Sequence, residues 1–376
     1  MALIHHLDAR DVRTWSGTVH FAKAAVERHV GPVADLSPVP VKMLPFRVAR
    51  RLVLEATGKE YSYDHEPLLS RYYGRLFSRR IAQAKPDLVF APAASASVAY
   101  LDTDVPVVYY SDSTWRVIRG YYPNYTNVLG RSDRAADEME RRTLARAATS
   151  LFASDWAAES AVRDYGADPA RVRTVYIGAN LPHPPKREDV LPRRLGDRVR
   201  LLFVGVLWDV KGGEIAFAAL LHLLELGIDA ELTVVGCTPP EHVRHPRLRV
   251  VPFLNKQVPE QRREFERLWT DADFFVLPSR CECAGVVYCE ASAYGLPSLA
   301  TRTGGVPSLV REGRNGFTLP PEAGGEAYAE RIASVVEDPR GYEALCESSR
   351  DEYDTRLSWD AWGTRVRGVV EELGIA

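Results

Sequence analysis

The sequence predicts an α/β protein of two doubly wound, parallel-sheet domains facing each other across a cleft. Three observations lead there. Short apolar runs rich in β-branched residues alternate with longer stretches of helical period along the chain. Most of these runs are continuously apolar, as strands covered on both faces of a parallel sheet must be. A proline-rich, highly charged stretch at 181–197 divides the chain into halves of similar length and rhythm. Repeated strand–helix units of this kind build a parallel sheet with helices on both faces.

In the first half, strands are predicted at 2–7, 87–90, 105–110, 150–153 and 173–177, with amphipathic helices at 18–29, 133–148 and 156–165. Segment 71–86 sets Tyr72, Leu76 and Phe77 beside Arg71, Arg75, Arg79 and Arg80. The favoured reading is a core-facing helix with a solvated arginine face; peripheral contact with anionic lipid is the competing one. Proline fixes φ and removes donors, so 181–197 is expected to be an extended connector. Second-half strands are predicted at 200–204, 230–235, 248–251, 274–277, 298–300 and 316–319, with helices at 213–226 and 286–294. A last helix, 358–373, opens on Ser358 as N-cap and carries Trp359, Trp362, Val366, Val369 and Val370 at helical spacing. Two tryptophans need a surface, so this helix is expected to return to the N-terminal domain. The predicted division is 1–182, 197–357 and a terminal helix within 358–376.

Composition removes several function classes. With 376 residues, 46% hydrophobic and 26% charged, the chain is neither disordered nor fibrous. The balance of 48 basic and 50 acidic residues lacks the footprint of phosphate-backbone binding, so no nucleic-acid partner is expected. Five cysteines, all in the second half, point to a reducing compartment rather than a disulfide framework. No apolar run approaches the ~18–20 residues of a membrane span, and the first residues turn polar too early for a secretory leader. A soluble cytoplasmic protein is the expectation.

The densest chemistry lies in LPSRCECAGVVYCEASAYGLP, 277–297. A strand passes through a Pro-Ser turn to Glu282 and Gly285 and then enters a helix. Backbone amides near Gly285 to Val287, at the helix start, form an anion site. Glu282 precedes the helix and Glu290 lies one turn inside it, so both carboxylates reach one ligand at different points. Each carboxylate can accept both hydroxyls of a vicinal diol. Two of them flanking an anion site fit a nucleotide-sugar: ribose at Glu290, hexose at Glu282, phosphates on the amides.

Two further loops support this ligand. In FVGVLWDVKGG a buried strand is followed by Gly205 and by Lys211, a compact positive charge suited to phosphate. Only seven of the 48 basic residues are lysine, which adds weight to each one. In TRTGGVPSLV, Gly304 and Gly305 leave bare backbone at a strand end. Neither loop matches G-x-G-x-x-G or the Walker A pattern, which argues against hydride transfer and ATP hydrolysis. Cys281, Cys283 and Cys289 lack a fourth ligand in sequence and read as small buried residues, not a metal site. His5 and His6 follow the first strand. Trp15 stands beside Gly17 as either core or acceptor contact. WRVIRGYYPNY (115–125) offers aromatic rings and arginines to an acceptor, and Phe253 and Leu254 are placed to stack a base.

Taken in order, FVGVLWDVKGG, the spaced pair Glu282 and Glu290, EASAYGLPSLAT and GGVPSLVREGRNGF resemble the retaining glycosyltransferases of family 4. RTWSGTVHFAKA, PVVYYSDSTW, FASDWAAESAVRDYG and VYIGAN extend the resemblance over nearly the whole chain. It implies the GT-B fold of two Rossmann-like domains and metal-independent transfer of a sugar from a UDP- or GDP-linked donor to a small-molecule, glycan or lipid-linked hydroxyl acceptor. The nucleotide-sugar is a co-substrate, and no cofactor is implied. Lys211, Glu282 and Asp112 are the implied catalytic positions. Gly17, Gly205, Cys283, Ala284, Gly285, Val286, Glu290, Gly304 and Gly305 are the implied substrate-binding ones. Two positions depart from the family pattern. Val206 stands where an Arg is usual, so another basic residue or backbone amides must balance the phosphates. Asp112 stands where a His is usual, and a carboxylate with an ordinary pKa near ~4 is a weak base. The fold also hosts nucleotide-sugar 2-epimerases and admits a non-catalytic sugar-nucleotide binder, and acceptor-dependent turnover separates the three.

Overall fold

The computed structural model describes residues 1–39, 41 and 43–375. Among them, strands form two six-stranded sheets in which every pair is parallel. The first contains β1 (Ala2–Leu3), β2 (Ala34–Asp35), β3 (Val89–Pro92), β4 (Val107–Ser111), β5 (Thr149–Phe152) and β6 (Val172–Thr174). Its order is β2-β1-β3-β4-β5-β6. The second contains β7 (Val199–Val204), β8 (Ala230–Val235), β9 (Leu248–Val251), β10 (Phe274–Leu277), β11 (Ser298–Thr301) and β12 (Gly316–Leu319), ordered β12-β11-β10-β7-β8-β9. The helices of eight or more residues are α1 (Thr18–His29), α2 (Leu44–Thr57), α3 (Pro67–Ala84), α4 (Gly130–Arg146), α5 (Asp155–Tyr165), α6 (Gly213–Glu225), α7 (Pro259–Asp271), α8 (Val286–Ala293), α9 (Gly325–Val336), α10 (Pro339–Glu352) and α11 (Trp359–Glu372).

The chain divides into one compact unit of 1–176 and 362–376 and another of 177–361. In the first, the core gathers Phe77 and Ile81 of α3, Val89 and Val107 of the sheet and Met139 of α4. The stretch predicted at 71–86 begins instead at Pro67, and α3 buries Leu69, Tyr73, Phe77 and Ile81. It is a core helix. Trp362 of α11 belongs to this unit and packs edge-on against Phe90 and Tyr110, with centroids at 5.9 and 5.3 Å. The first predicted strand shrinks from 2–7 to Ala2–Leu3, although Ile4 N–H still donates to Phe90 O at 3.0 Å. Beyond that bond the chain turns and buries His5.

In the second unit, Trp269 lies between Phe275 and Tyr294, at centroid distances of 5.1 and 5.9 Å, and Tyr288 meets Phe275 at 5.7 Å. This aromatic layer seats α8 on the sheet. Stretch 181–197, expected to be an extended connector between the two halves, lies within the second unit. It contains a helical turn, Arg187–Val190, and buries Arg193. That guanidinium donates to the carbonyls of Thr270 (3.0 Å), Tyr294 (3.1 Å) and Ala272, at the ends of α7 and α8. Helix C-termini leave carbonyls without intrahelical donors, and the two terminal nitrogens of this guanidinium supply them.

Candidate functional site

In a doubly wound sheet, ligands bind beyond the carboxyl ends of the strands where the strand order reverses. In the second sheet that point lies between β7 and β10, which are hydrogen-bonded neighbours. The loop leaving β7 carries Gly205 and Lys211; the loop leaving β10 carries Glu282 to Gly285. Two close approaches lock the loops together. Arg280 N–H donates to Val210 O at 2.8 Å. Gly212 has φ of 73°, and a β-carbon there would run into the Pro278 carbonyl oxygen. Only glycine meets both conditions. Gly205 similarly leaves room for the Lys211 stem, whose Cγ would lie 2.9 Å from an added β-carbon.

The ammonium of Lys211 donates to Glu282 Oε2, and both side chains are largely buried. Glu290, on the buried side of α8, accepts from Lys256 Nζ at 2.9 Å. Lys256 also donates to Asn180 O at 3.3 Å and lies 5.1 Å from the Phe265 ring centroid. Each acidic side chain therefore has its own lysine. Gly285, with φ of 87°, caps α8, and the Gly285–Val287 amides lie in the first turn, where helices have no internal acceptors. Cys283 and Ala284 are buried just before it. Gly305 N–H donates to Glu282 O at 3.1 Å, drawing in the β11 loop with Gly304 at φ of 50°.

Lys211, Glu282, Gly205, Cys283, Ala284, Gly285, Val286, Glu290, Gly304 and Gly305 thus occupy one edge of the second sheet. Lys256 was not read from sequence as a site residue. Its signal was the scarcity of lysine in an arginine-rich chain. Val206, Leu207 and Phe253 expose apolar side chains in the loops after β7 and β9. Among the described residues no group of three or more His, Cys, Asp or Glu is placed to hold a metal ion. Burial pushes the Cys281 and Cys289 thiols up, and Cys289 Sγ donates to Ile177 O at 3.2 Å.

Gly17 and Asp112 lie in the first unit. Gly17, with φ of 88°, caps α1 after Trp15 and Ser16, which hold left-handed φ of 48° and 56°. Such a run is strained and is tolerated where surrounding contacts fix it. Here Trp15 Nε1 donates to Asp112 Oδ2 at 3.1 Å, and its ring meets Tyr110 at 5.6 Å. Trp15 therefore ties the loops bearing Gly17 and Asp112 together. Ser113 Oγ donates to the other Asp112 oxygen at 3.2 Å. His5 and His6 stack at 4.8 Å, and His6 stacks on Tyr73 at 5.5 Å. Burial pushes His5 down to about 4 and His6 to about 3, so both rings are neutral at pH 7. The arginines of 115–125 are not bare: Arg116 pairs with Asp137 at 2.7 Å and Arg119 with Asp133 at 3.0 Å.

Two family profiles match in succession, glycosyltransferase family 4 over residues 6–182 and glycosyl transferases group 1 over 198–338. The chain belongs to the group 1 glycosyltransferases. Among its relatives in that family, the D-inositol 3-phosphate glycosyltransferase of Thermobifida fusca (strain YX) is 30% identical over 225 residues, covering 55% of this chain and 51% of the relative. Spore coat protein SA of Bacillus subtilis (strain 168) is 27% identical over 242 residues, covering 58% and 63%. The alignments span between half and two thirds of these curated relatives. Solved structures share the fold of this group 1 chain. Sucrose-phosphate synthase of Thermosynechococcus elongatus superposes with a TM-score of 0.64 at 15% identity, covering 99% of this chain and 98% of that one. HepE of Anabaena, in complex with UDP and glucose, gives 0.62 at 16% identity, covering 98% of each.

Proposed function

We propose that the protein transfers a sugar from a UDP- or GDP-linked donor to a hydroxyl-bearing acceptor, with retention and without a metal. The observation that carries the reading is the Lys211–Glu282 pair beside the first turn of α8 at the switch point of the second sheet. Lys211 and Glu282 satisfy each other's largely buried charge, as a low-dielectric site requires. A donor would exchange the partners. The pyrophosphate takes the Lys211 ammonium and the α8 amides, and this frees Glu282 for the hydroxyls of the sugar.

Glu290 accepts the ribose hydroxyls, and Lys256 holds that carboxylate in place. Lys256 is also a candidate for the cationic role left vacant at Val206. Exposed Phe253 offers a face to the base. The HepE complex with UDP and glucose supports a nucleoside-diphosphate donor on this fold. As the C1–oxygen bond to the phosphate breaks, its electron pair passes to the departing nucleoside diphosphate, whose charge Lys211 neutralises. The acceptor oxygen forms the new C1–oxygen bond on the face the diphosphate leaves, and its proton passes to the departing phosphate oxygen. Gly17 and Asp112 form the acceptor side, with Asp112 accepting a hydrogen bond from a sugar hydroxyl.

Thermal-shift titration with a panel of UDP- and GDP-sugars tests this. A donor at about 100 times its Kd stabilises by about 2.7 kcal/mol, a rise of roughly 5–10 °C. Lys211→Met should abolish the rise, and anomeric analysis by NMR of the product made in excess EDTA should show retention. No shift with any sugar nucleotide would contradict the reading. Release of an epimerised sugar nucleotide without acceptor would replace it with an isomerase.

A further inference from the structure

Glu290 is almost fully buried, yet only one of its carboxylate oxygens is engaged among the described residues. Oε1 accepts from Lys256 Nζ at 2.9 Å, which leaves Oε2 for a ligand hydroxyl. A buried acceptor without a donor calls for an explanation. The ammonium that holds Oε1 is itself confined on three sides. It meets the Glu290 carboxylate, the backbone carbonyl of Asn180 at 3.3 Å and the Phe265 ring at 5.1 Å. An ammonium has three donors, so these neighbours fix where it sits and which way it points.

Asn180 ends a short run, 177–180, in which every residue is tied down. Ile177 O accepts from the thiol of Cys289, the residue before Glu290, at 3.2 Å. Gly178 faces Trp359 so closely that a β-carbon would lie 2.6 Å from the Trp359 backbone nitrogen and 2.7 Å from its ring. Ala179 N–H donates to Leu357 O at 3.0 Å. The buried side chain of Asn180 accepts from Trp359 Nε1 on Oδ1 at 3.0 Å. Its backbone carbonyl accepts from Lys256. Hydrogen bonds therefore lead from Trp359 through Asn180 to Lys256, and from Lys256 to Glu290. All four residues belong to the second unit.

We propose that Asn180 and Trp359 are positioning residues that set the protein's preference for ribose over deoxyribose in its nucleotide. The proposal rests on the assignment of Glu290 to the ribose hydroxyls. Both residues act through Lys256, and neither is assigned a contact with substrate. Trp359 holds the Asn180 side chain, and Asn180 in turn presents its carbonyl to the ammonium. The ammonium then keeps Oε1, so the carboxylate stays in one orientation with Oε2 turned to the ligand. A site built to hydrogen-bond a hydroxyl rejects the analogue that lacks it, because the buried acceptor is left unpaired. That penalty is large only while the acceptor cannot turn away. Loss of the Trp359 donor frees the Asn180 turn, then Lys256, and with them the carboxylate.

Calorimetric titration of the full chain with UDP, GDP and their 2′-deoxy counterparts tests this. The unaltered protein should bind the ribose form of its nucleotide roughly 10–100-fold more tightly, as hydrogen bonds to a charged acceptor allow. Asn180→Ala and Trp359→Phe should each lower that ratio by roughly threefold or more, through weaker binding of the ribose form alone. The double variant should lose no more than either single one, since both break the same bond. Trp359→Phe keeps a ring against Gly178, and melting curves check its fold; should it unfold, Asn180→Ala carries the test. A ribose preference that survives in the folded variants overturns the proposal. Equal weakening of the deoxy form also overturns it, because that is what a merely structural role would do. No ribose preference in the unaltered protein removes the Glu290 assignment itself, and the proposal with it.

Discussion

The two sheets reverse their strand order at different places, and opposite chemistry surrounds the two reversals. In the second sheet the order turns between β7 and β10, where the loop after β7 brings Lys211 to Glu282, and the loop after β9 brings Lys256 to Glu290 on α8. In the first sheet it turns between β1 and β3. The chain after β1 carries the stacked, uncharged pair His5–His6, and Trp15 from the same loop binds Asp112 beyond β4. One edge holds paired charges, and the other presents neutral rings and hydrogen-bonded side chains. The same strand–helix rhythm thus builds a face of paired charges in one unit and an aromatic, polar face in the other. What distinguishes them is a few loop residues, not the fold.

Removing the charge at the second edge should have the largest effect. Lys211→Met is expected to reduce kcat/KM for transfer by roughly 10²–10³-fold, the usual loss when a group aimed at developing charge is removed. It also strands the buried Glu282 carboxylate and should lower thermal stability. The double variant Lys211→Met/Glu282→Gln should recover stability but not activity. Recovery of both would make the pair purely structural. Next comes Gly212→Ala. Its β-carbon collides with the Pro278 carbonyl at positive φ, so the second unit should lose about 2–4 kcal/mol in denaturant unfolding. An unchanged midpoint would mean that the two loops are not locked.

The first edge should respond to pH instead. His5, His6 and His65 titrate at depressed values, about 4, about 3 and about 4, because burial disfavours their charged forms. Their contribution is complete above the ordinary value near ~6.5 and is lost as pH falls toward 4, by up to about 1.4 kcal/mol per pH unit per ring. Glu140 acts in the opposite direction. Burial raises it to about 8, so its contribution is complete below about 4.5 and is lost as pH rises through 8. Stability of the first unit should therefore peak near pH 6.5, and Glu140→Gln should flatten the alkaline limb. A profile rising steadily to pH 8 would contradict this.

Two smaller effects sharpen the contrast between the edges. Lys256→Met should raise the donor KM roughly tenfold with little change in kcat, as expected for lost uniform binding. Equal loss in kcat would move Lys256 into the transition state. Asp112→Asn should lower kcat less than roughly tenfold, because hydrogen bonds from Trp15 and Ser113 already occupy its carboxylate. A general base would cost about 10²–10⁴-fold.

Legibility followed periodicity. Strands β8, β9, β10 and β12 and helix α1 end where apolar runs meet turn residues, and their limits were readable to the residue. β2 has two residues, too few to carry a pattern. Helix α2 escaped notice because its apolar positions occupy its solvent side, so they do not mark a core face. The loops of Lys211, Glu282 and Gly285 were legible because close backbone approach demands glycine in a fixed local spacing. Lys256 was not, since 34 residues separate it from Glu290 and only the packing of the β9 loop joins them. The prolines of 181–197 suggested an extended connector between the halves, whereas the stretch belongs to the second unit and one buried arginine binds it to the ends of two helices.

A crystal structure with the donor's nucleoside diphosphate bound measures the partner exchange directly. The account predicts Lys211 Nζ turned from Glu282 to a phosphate oxygen, the amides of Gly285–Val287 on the same pyrophosphate and Glu290 on the ribose. A nucleotide bound elsewhere, with Lys211–Glu282 and Lys256–Glu290 both intact, would contradict it.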